Sequence, residues 1–227
     1  MKTIVVGMVC WGGKRAGLEN LTCAAYERAA TLASNVTGHV VAFIGDSAEP
    51  LGFRHNRMLE HVREYAPDAF VLVGSDDWMD SECFDRFEQW LENDHALVAL
   101  NDIYIGQAST GRLVRYASPA IGVGRMVRRD VLDACGWKLW VDALERKLDS
   151  SMAGRIGKCS RARWHYEEMR ESAAVVVDIK TEQNLWSFDR FADRGIKISV
   201  EERDHVFRNL DQDALSALRT QYPEFKP

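Results

Sequence analysis

A chain of 227 residues, 46% hydrophobic and 28% charged, holds enough material for one α/β domain with a core, and this balance excludes disorder for the whole chain. No apolar run reaches the ~20 residues that cross a bilayer, so no membrane span is expected. The formal net charge of −5 is unevenly spread: residues 1–100 hold 8 Lys/Arg against 15 Asp/Glu, residues 101–170 hold 13 against 8, and residues 171–227 hold 8 against 11.

Ile4–Val9 is a β-branched run that predicts a buried strand, and not a signal peptide, before the loop Gly12-Gly13-Lys14-Arg15. Residues 18–34 carry Leu18, Leu21, Ala25, Ala29 and Leu32 at helical spacing, with Gly38 as the expected stop. His39–Ile44 predicts a second strand ending at Asp46, and residues 53–65 a second helix. Ala69–Val73 is wholly apolar, as suits the centre of a parallel sheet, and runs into Gly74-Ser75-Asp76-Asp77-Trp78. A helix capped by Ser81 or Asp80 then reaches about residue 93, followed by a strand at Ala96–Leu100. This β-α alternation predicts a mostly parallel central sheet with helices on both faces.

The second half is less regular. A hairpin is expected from Ile103–Ile105 and Leu113–Tyr116, a strand at Ala120–Val127 and a short helix at Asp130–Cys135. A helix over 138–153, a strand at Ala173–Ile179 and a terminal helix at 211–221, capped by Asp211, complete the pattern. The five cysteines are odd in number and form no CxxC, which points to reduced thiols in a cytoplasmic protein.

In open α/β sheets ligands bind at the carboxyl ends of strands. That rule selects the glycine loop, Asp46 and the Asp76-Asp77 pair. Two adjacent carboxylates at a buried strand end call for a positive partner, and a divalent cation, Mg²⁺ or Mn²⁺, supplies one that also binds phosphate; a helix cap or an exposed turn is the plainer alternative.

The order of Asp46, Gly52…Arg54-His55-Asn56, an apolar strand and Ser75-Asp76-Asp77-Trp78 resembles the family 2 glycosyltransferases of the GT-A fold. The likeness covers roughly residues 3–80 and returns around Gly122–Asp149. It implies a single domain over 1–227, with a nucleotide-sugar-binding half (1–100) and an acceptor-binding half with a C-terminal extension (101–227). It assigns Asp46 to the nucleotide base and Asp76 to the ribose or the metal. Asp77 becomes a ligand of the metal on the donor diphosphate, and Arg54 and Asn56 become nucleotide contacts. The family's usual first acid is absent, because Gly74-Ser75 precede the aspartates, and His55 replaces an arginine.

On the predicted 138–153 helix, Asp142, Glu145 and Asp149 share one face; Asp149, then Glu145, are the candidate bases, against an ordinary solvated acidic stripe. Lys180, beside Asp178, reads as a donor-phosphate contact or a surface ion pair, and His165 as a further metal ligand or a structural residue. The function expected is transfer of a hexosyl or pentosyl group from a nucleotide-diphosphate sugar, UDP-linked by preference, to a hydroxyl acceptor. The basic middle segment adds a modified DNA base to the acceptors considered. Two rivals remain: a sugar-phosphate nucleotidyltransferase gripping a triphosphate with Gly12–Arg15, and a non-catalytic nucleotide-sugar-binding module.

Overall fold

The computed structural model describes the chain except residues 34, 119–120, 170–173, 183, 185–186, 224 and 226–227 and the side chain of Lys14. Ser34, Ala120 and Ala173, at the ends of three expected elements, lie outside the described residues.

The first half follows the expected alternation. β1 (Lys2–Cys10), α1 (Ala16–Leu32), β2 (Val36–Ile44), α2 (Leu51–Glu64) and β3 (Ala69–Leu72) lead to β4 (Asp77–Met79), α3 (Glu82–Glu92) and β5 (Leu97–Leu100). Then come β6 (Asp102–Gln107), β7 (Leu113–Ala117), β8 (Arg125–Arg128), α4 (Arg129–Ala134), α5 (Leu148–Cys159) and β9 (Trp164–Glu167). β10 (Val176–Lys180), α6 (Phe188–Ala192), β11 (Ile196–Lys197), α7 (Val200–Asn209) and α8 (Gln212–Gln221) finish the chain.

The strands form two sheets, of order β2-β1-β3-β8-β5-β9 and β11-β7-β6-β10-β4. The expected mostly parallel sheet is corrected: both sheets are mixed. β8 runs antiparallel between β3 and β5, while β1 is parallel to β2 and β3. In the second sheet, among the described residues, β6 and β10 pair parallel and the other pairings are antiparallel. The local β-α rhythm of residues 1–100 says nothing about a later strand inserting itself, and β8 does so.

Helices cover both faces of the larger sheet, as the unbroken burial of β1 from Ile4 to Cys10 requires. Ile4, Val6 and Met8 pack with Tyr26 of α1 and Phe84, Phe87 and Trp90 of α3. Val5 and Val9 face Met58, Leu59 and Val62 of α2, Val131 and Leu132 of α4, and Met152 and Ile156 of α5. A third cluster holds α7 and α8 on the smaller sheet through Val206, Phe207, Leu215 and Leu218 against Tyr104, Val177 and Ile179.

Two local expectations change. Gly38 does not end α1; it lies inside β2, where an added Cβ would fall 2.6 Å from the Cβ of Ala30, so glycine permits the close approach of helix and strand. Residues 138–147 are not helical, and α5 starts at Leu148 behind Lys147, which takes φ of 60°. Tertiary hydrogen bonds override the helical pattern here: the Asn56 side chain accepts from the N–H groups of Leu139 and Trp140 at 3.1 Å each and donates to the Trp140 carbonyl at 2.9 Å.

Candidate functional site

The chain leaves the larger sheet at Leu72 and enters the smaller one at Asp77. Asp76 lies in the crossing turn and Asp77 opens β4. The N–H of Gly74 donates to Asp77 Oδ2, and a Cβ on Gly74 would lie 2.7 Å from that oxygen and 3.0 Å from Asp76 Oδ1. Only glycine leaves room for both carboxylates. β10 lies antiparallel to β4 with Asp178 opposite Asp77, and so brings in a third acid. Oxygens from Asp76, Asp77 and Asp178 all fall within 4.8 Å of one another.

The cluster is electrostatically loaded. Burial, then Asp178 and Asp76, pushes the Asp77 carboxyl well above the ordinary carboxylate range. Burial pushes Asp178 up to about 6, although Lys180 pulls against it. The Lys180 ammonium lies 2.5 Å from Asp178 and 3.9 Å from Asp76. Burial disfavours that ammonium, but the two aspartates outweigh it and hold its pKa above the usual value. Arg15, from the loop before α1, places a guanidinium nitrogen 3.4 Å from Asp76, and Asn184 donates to the same carboxylate. One oxygen of Asp178 is buried with no hydrogen-bond partner among the described residues. Three hard oxygen donors, one of them orphaned, fit a divalent cation of the Mg²⁺ or Mn²⁺ type.

These acids line a cleft of about 330 Å³, together with Ile103, Ile105, Tyr116, Phe191, Gly122 and Asp149. Phe191 meets the Tyr116 ring edge-on at 5.2 Å and lies under the Lys180 ammonium at the same distance, giving the charged floor an aromatic wall. Asp149 sits in the first turn of α5. A Cβ on Gly122 would come within 2.3 Å of its Oδ1, so glycine again clears space for a carboxylate. Buried Arg125 donates to the Asp149 carbonyl at 3.0 Å and approaches its carboxylate at 3.9 Å. Burial raises the Asp149 pKa and Arg125 lowers it.

The other expected residues separate. Asp46 is exposed just after β2, where its side chain accepts from the N–H of Ala48 at 2.9 Å. Arg54 is buried and donates to the Cys10 carbonyl at the end of β1, with its guanidinium 4.8 Å from the Trp11 ring centre. Its remaining nitrogens, Nε and Nη1, are buried without partners among the described residues. Asn56 does not reach the cleft: besides its bonds to Leu139 and Trp140, it donates to Asp142 at 2.7 Å, so its amide is consumed in tying α2 to residues 139–142. Glu145 is exposed and accepts from the N–H of Leu51 at 3.3 Å, at the start of α2 and away from the residues that line the cleft. Asp142 pairs with Lys138 at 2.6 Å. With 138–147 non-helical, the shared face expected for these acids does not form, and Asp149 alone of the three lines the cleft. Lys180 is buried and not part of a surface pair. His165 bonds Glu167 at 3.1 Å and stacks on His95, in β9 at the edge of the larger sheet.

Two contributors escape the sequence pattern. Asp178 carries no motif; only the pairing of β10 with β4 delivers it. Glu19, buried in α1, accepts from the N–H groups of Trp11 at 2.6 Å and Gly12 at 2.8 Å, and from the Ser75 hydroxyl at 3.3 Å. It thus ties the loop after β1 to the turn that carries Asp76. Glu19 stands beside Leu18 in the first turn of the expected helix and carries no motif that marks it.

No known protein-family model matches the sequence, and no curated protein matches it. Solved structures share its shape at low identity. A glycosyltransferase involved in glycosylation of the major capsid of PBCV-1 gives a TM-score of 0.49 at 11% identity, over 85% of this chain and 98% of its own. TarS 1–349 of S. aureus, in complex with UDP, gives 0.50 at 11% identity over 74% of this chain and 60% of its own. The same protein in complex with UDP-GlcNAc gives 0.50 at 11% identity over 98% of this chain and 72% of its own. The chain therefore shares the fold of TarS 1–349, a protein solved with a nucleotide sugar bound.

Proposed function

We propose that this protein is a divalent-metal-dependent glycosyltransferase of the GT-A type, moving a hexosyl or pentosyl group from a nucleotide-diphosphate sugar, in the first instance a UDP-sugar, to a hydroxyl acceptor such as a modified DNA base. The observation that carries the proposal is the convergence of Asp76, Asp77 and Asp178 in one cleft with Lys180 and Asp149. The fold shared with TarS 1–349 supports it.

The three aspartates would hold the ion, with Gly74 giving Asp76 and Asp77 their room. When bound, Mn²⁺ or Mg²⁺ supplies Lewis-acid charge against the departing diphosphate. Lys180 and Arg15 add positive charge beside it. Asp149 accepts the proton of the acceptor hydroxyl as its oxygen bonds to the anomeric carbon. The carbon–oxygen bond to the diphosphate breaks, the diphosphate leaves with the electron pair, and configuration inverts. Ile103, Ile105, Tyr116 and Phe191 exclude water from that step. The nucleotide lies at the carboxyl ends of β1 and β2, where Trp11, 44% exposed, offers a ring face to the base. Arg54, with two unpartnered nitrogens, lies behind Trp11, and Asp46 marks the rim. Use of Gly12–Arg15 as a triphosphate nest has less support, because the Trp11 and Gly12 amides are spent on Glu19.

The test is a thermal-shift screen of nucleotide sugars with and without Mn²⁺, followed by UDP release from the donor that binds. The proposal expects a metal-dependent rise in melting temperature and a turnover lost in Asp77→Asn. Failure of every nucleotide sugar to shift the protein with Mn²⁺ present would overturn it.

A further inference from the structure

A modified DNA base is one of several candidate hydroxyl acceptors, and the surface beside Asp149 bears on how a nucleic acid would be held. Residues 144–163 hold six Lys/Arg against two Asp/Glu, while the rest of the chain holds 23 against 32. The excess survives folding. Glu145 is engaged by the N–H of Leu51, and Asp149 by Arg125 from outside the segment. Among the described residues none of Arg146, Lys147, Lys158, Arg161 and Arg163 pairs with a carboxylate, in contrast to Arg28, Arg86, Arg115 and Arg128 elsewhere, while the charge of Arg155 acts on Asp142. Five of the six are exposed; Arg155 is half-buried, with its Nε lacking an acceptor.

Helix geometry aligns part of this set. With Met152 and Ile156 buried, Arg155 and Lys158 fall on one flank of α5, and Lys147 precedes that flank at the N-terminus. Lys147 and Lys158 are about 16 Å apart along the axis, by the helical rise per residue. Arg161 and Arg163 continue the surface to Trp164 of β9, whose ring lies 5.4 Å from the Arg125 guanidinium. Arg125 holds Asp149, so the basic surface and the cleft meet at the first turn of α5.

We infer that this surface docks the phosphodiester backbone of a nucleic acid, so that the acceptor hydroxyl is carried on that polymer and enters the cleft at Asp149. The deduction rests on the transferase reading. Unpaired cations on an otherwise acidic protein attract a polyanion specifically to this face. About 16 Å of helix spans roughly five successive phosphates of one strand at 3.4 Å of axial rise each. The cleft itself, floored by carboxylates, suits the uncharged reacting part of the acceptor and repels its phosphates.

The test is fluorescence anisotropy of the full chain with Mn²⁺ and a labelled oligonucleotide, single-stranded and duplex. Raising salt from 50 to 200 mM should weaken binding about 10²-fold, as roughly four phosphate contacts require. The triple variant Lys158→Glu, Arg161→Glu, Arg163→Glu should bind at least about 10-fold more weakly at low salt, while Arg208→Glu on α7 should bind as the wild type does; a circular-dichroism melt verifies folding of each. Absence of binding at 50 mM salt, wild-type affinity in the triple variant, or binding that does not weaken between 50 and 200 mM salt would each overturn the inference. Donor binding is read separately: a protein that binds UDP-sugar but no oligonucleotide overturns only the docking surface, and the reverse result overturns only the transferase reading.

Discussion

Two groups of acids stand out in the sequence, and folding treats them differently. Asp76 and Asp77 sit at the end of a buried strand, and the structure adds Asp178 to them, buries Asp77 and raises the proton affinity of Asp77 and Asp178. Asp142, Glu145 and Asp149 share a helical spacing, yet only Asp149 lines the cleft, while Asp142 pairs with Lys138 and Glu145 meets the start of α2. A position anchored to a sheet edge is fixed by the sheet. A position inferred from helical phase is lost as soon as tertiary hydrogen bonds stop the helix from forming.

The sharpest way to break this contrast is to neutralise the first group. Asp77→Asn should lower metal-dependent transfer by about 10³-fold, the scale for losing a preorganised electrostatic stabiliser. Its circular-dichroism spectrum should stay native. An active Asp77→Asn enzyme would erase the distinction between the groups.

The second group should split internally. Asp149→Asn should reduce kcat by about 10²-fold with the donor KM little changed, as expected for a lost general base. Glu145→Gln should change kcat by less than about threefold, since ordinary surface substitutions act weakly. Equal losses in the two variants would restore the shared helical face.

Asn56 sharpens the comparison from the side of stability. Asn56→Ala leaves two buried N–H groups and a carbonyl without their side-chain partner, at a cost of about 2–4 kcal/mol. A chain of this size should then melt roughly 5–15 °C lower. Donor KM should hold in the folded fraction; a selective rise in KM at unchanged melting temperature would instead make Asn56 a nucleotide contact.

The smallest effect is with pH. Asp178, about 6 in the fold, and Asp77, also raised, lie above their unfolded values. Their contribution favours the folded metal-free protein below pH ~4, the ordinary carboxylate value, and fades as pH rises through about 6. Differential scanning calorimetry with a chelator should show that decline, and saturating Mn²⁺ should oppose it, because the ion binds the deprotonated acids. A metal-free protein that gains stability over the same interval, with Asp77→Asn and Asp178→Asn following the same curve, would deny the cluster its strain.

Much of the first hundred residues was legible because each element carries its own signal. β1 and β3 are apolar runs, and the helices between them have a clear buried stripe, so Asp76 and Asp77 could be placed at a strand's carboxyl end. The mixed sheets were not legible, since pairing partners such as β8 with β3 and β10 with β4 are far apart in sequence. Asp178, read from the sequence only as the partner of Lys180, could not be joined to Asp76 and Asp77 for that reason. Asn56 misled for a related one: the residues it holds, 139–142, read as helix until its side chain is seen gripping their backbone.

The most direct measurement is titration of Mn²⁺ into the metal-free protein in the presence of UDP, by calorimetry and by electron paramagnetic resonance. One ion should bind per chain, with uptake lost in both Asp77→Asn and Asp178→Asn and preserved in Glu145→Gln. No uptake at millimolar Mn²⁺, or uptake that both aspartate variants retain, would contradict it.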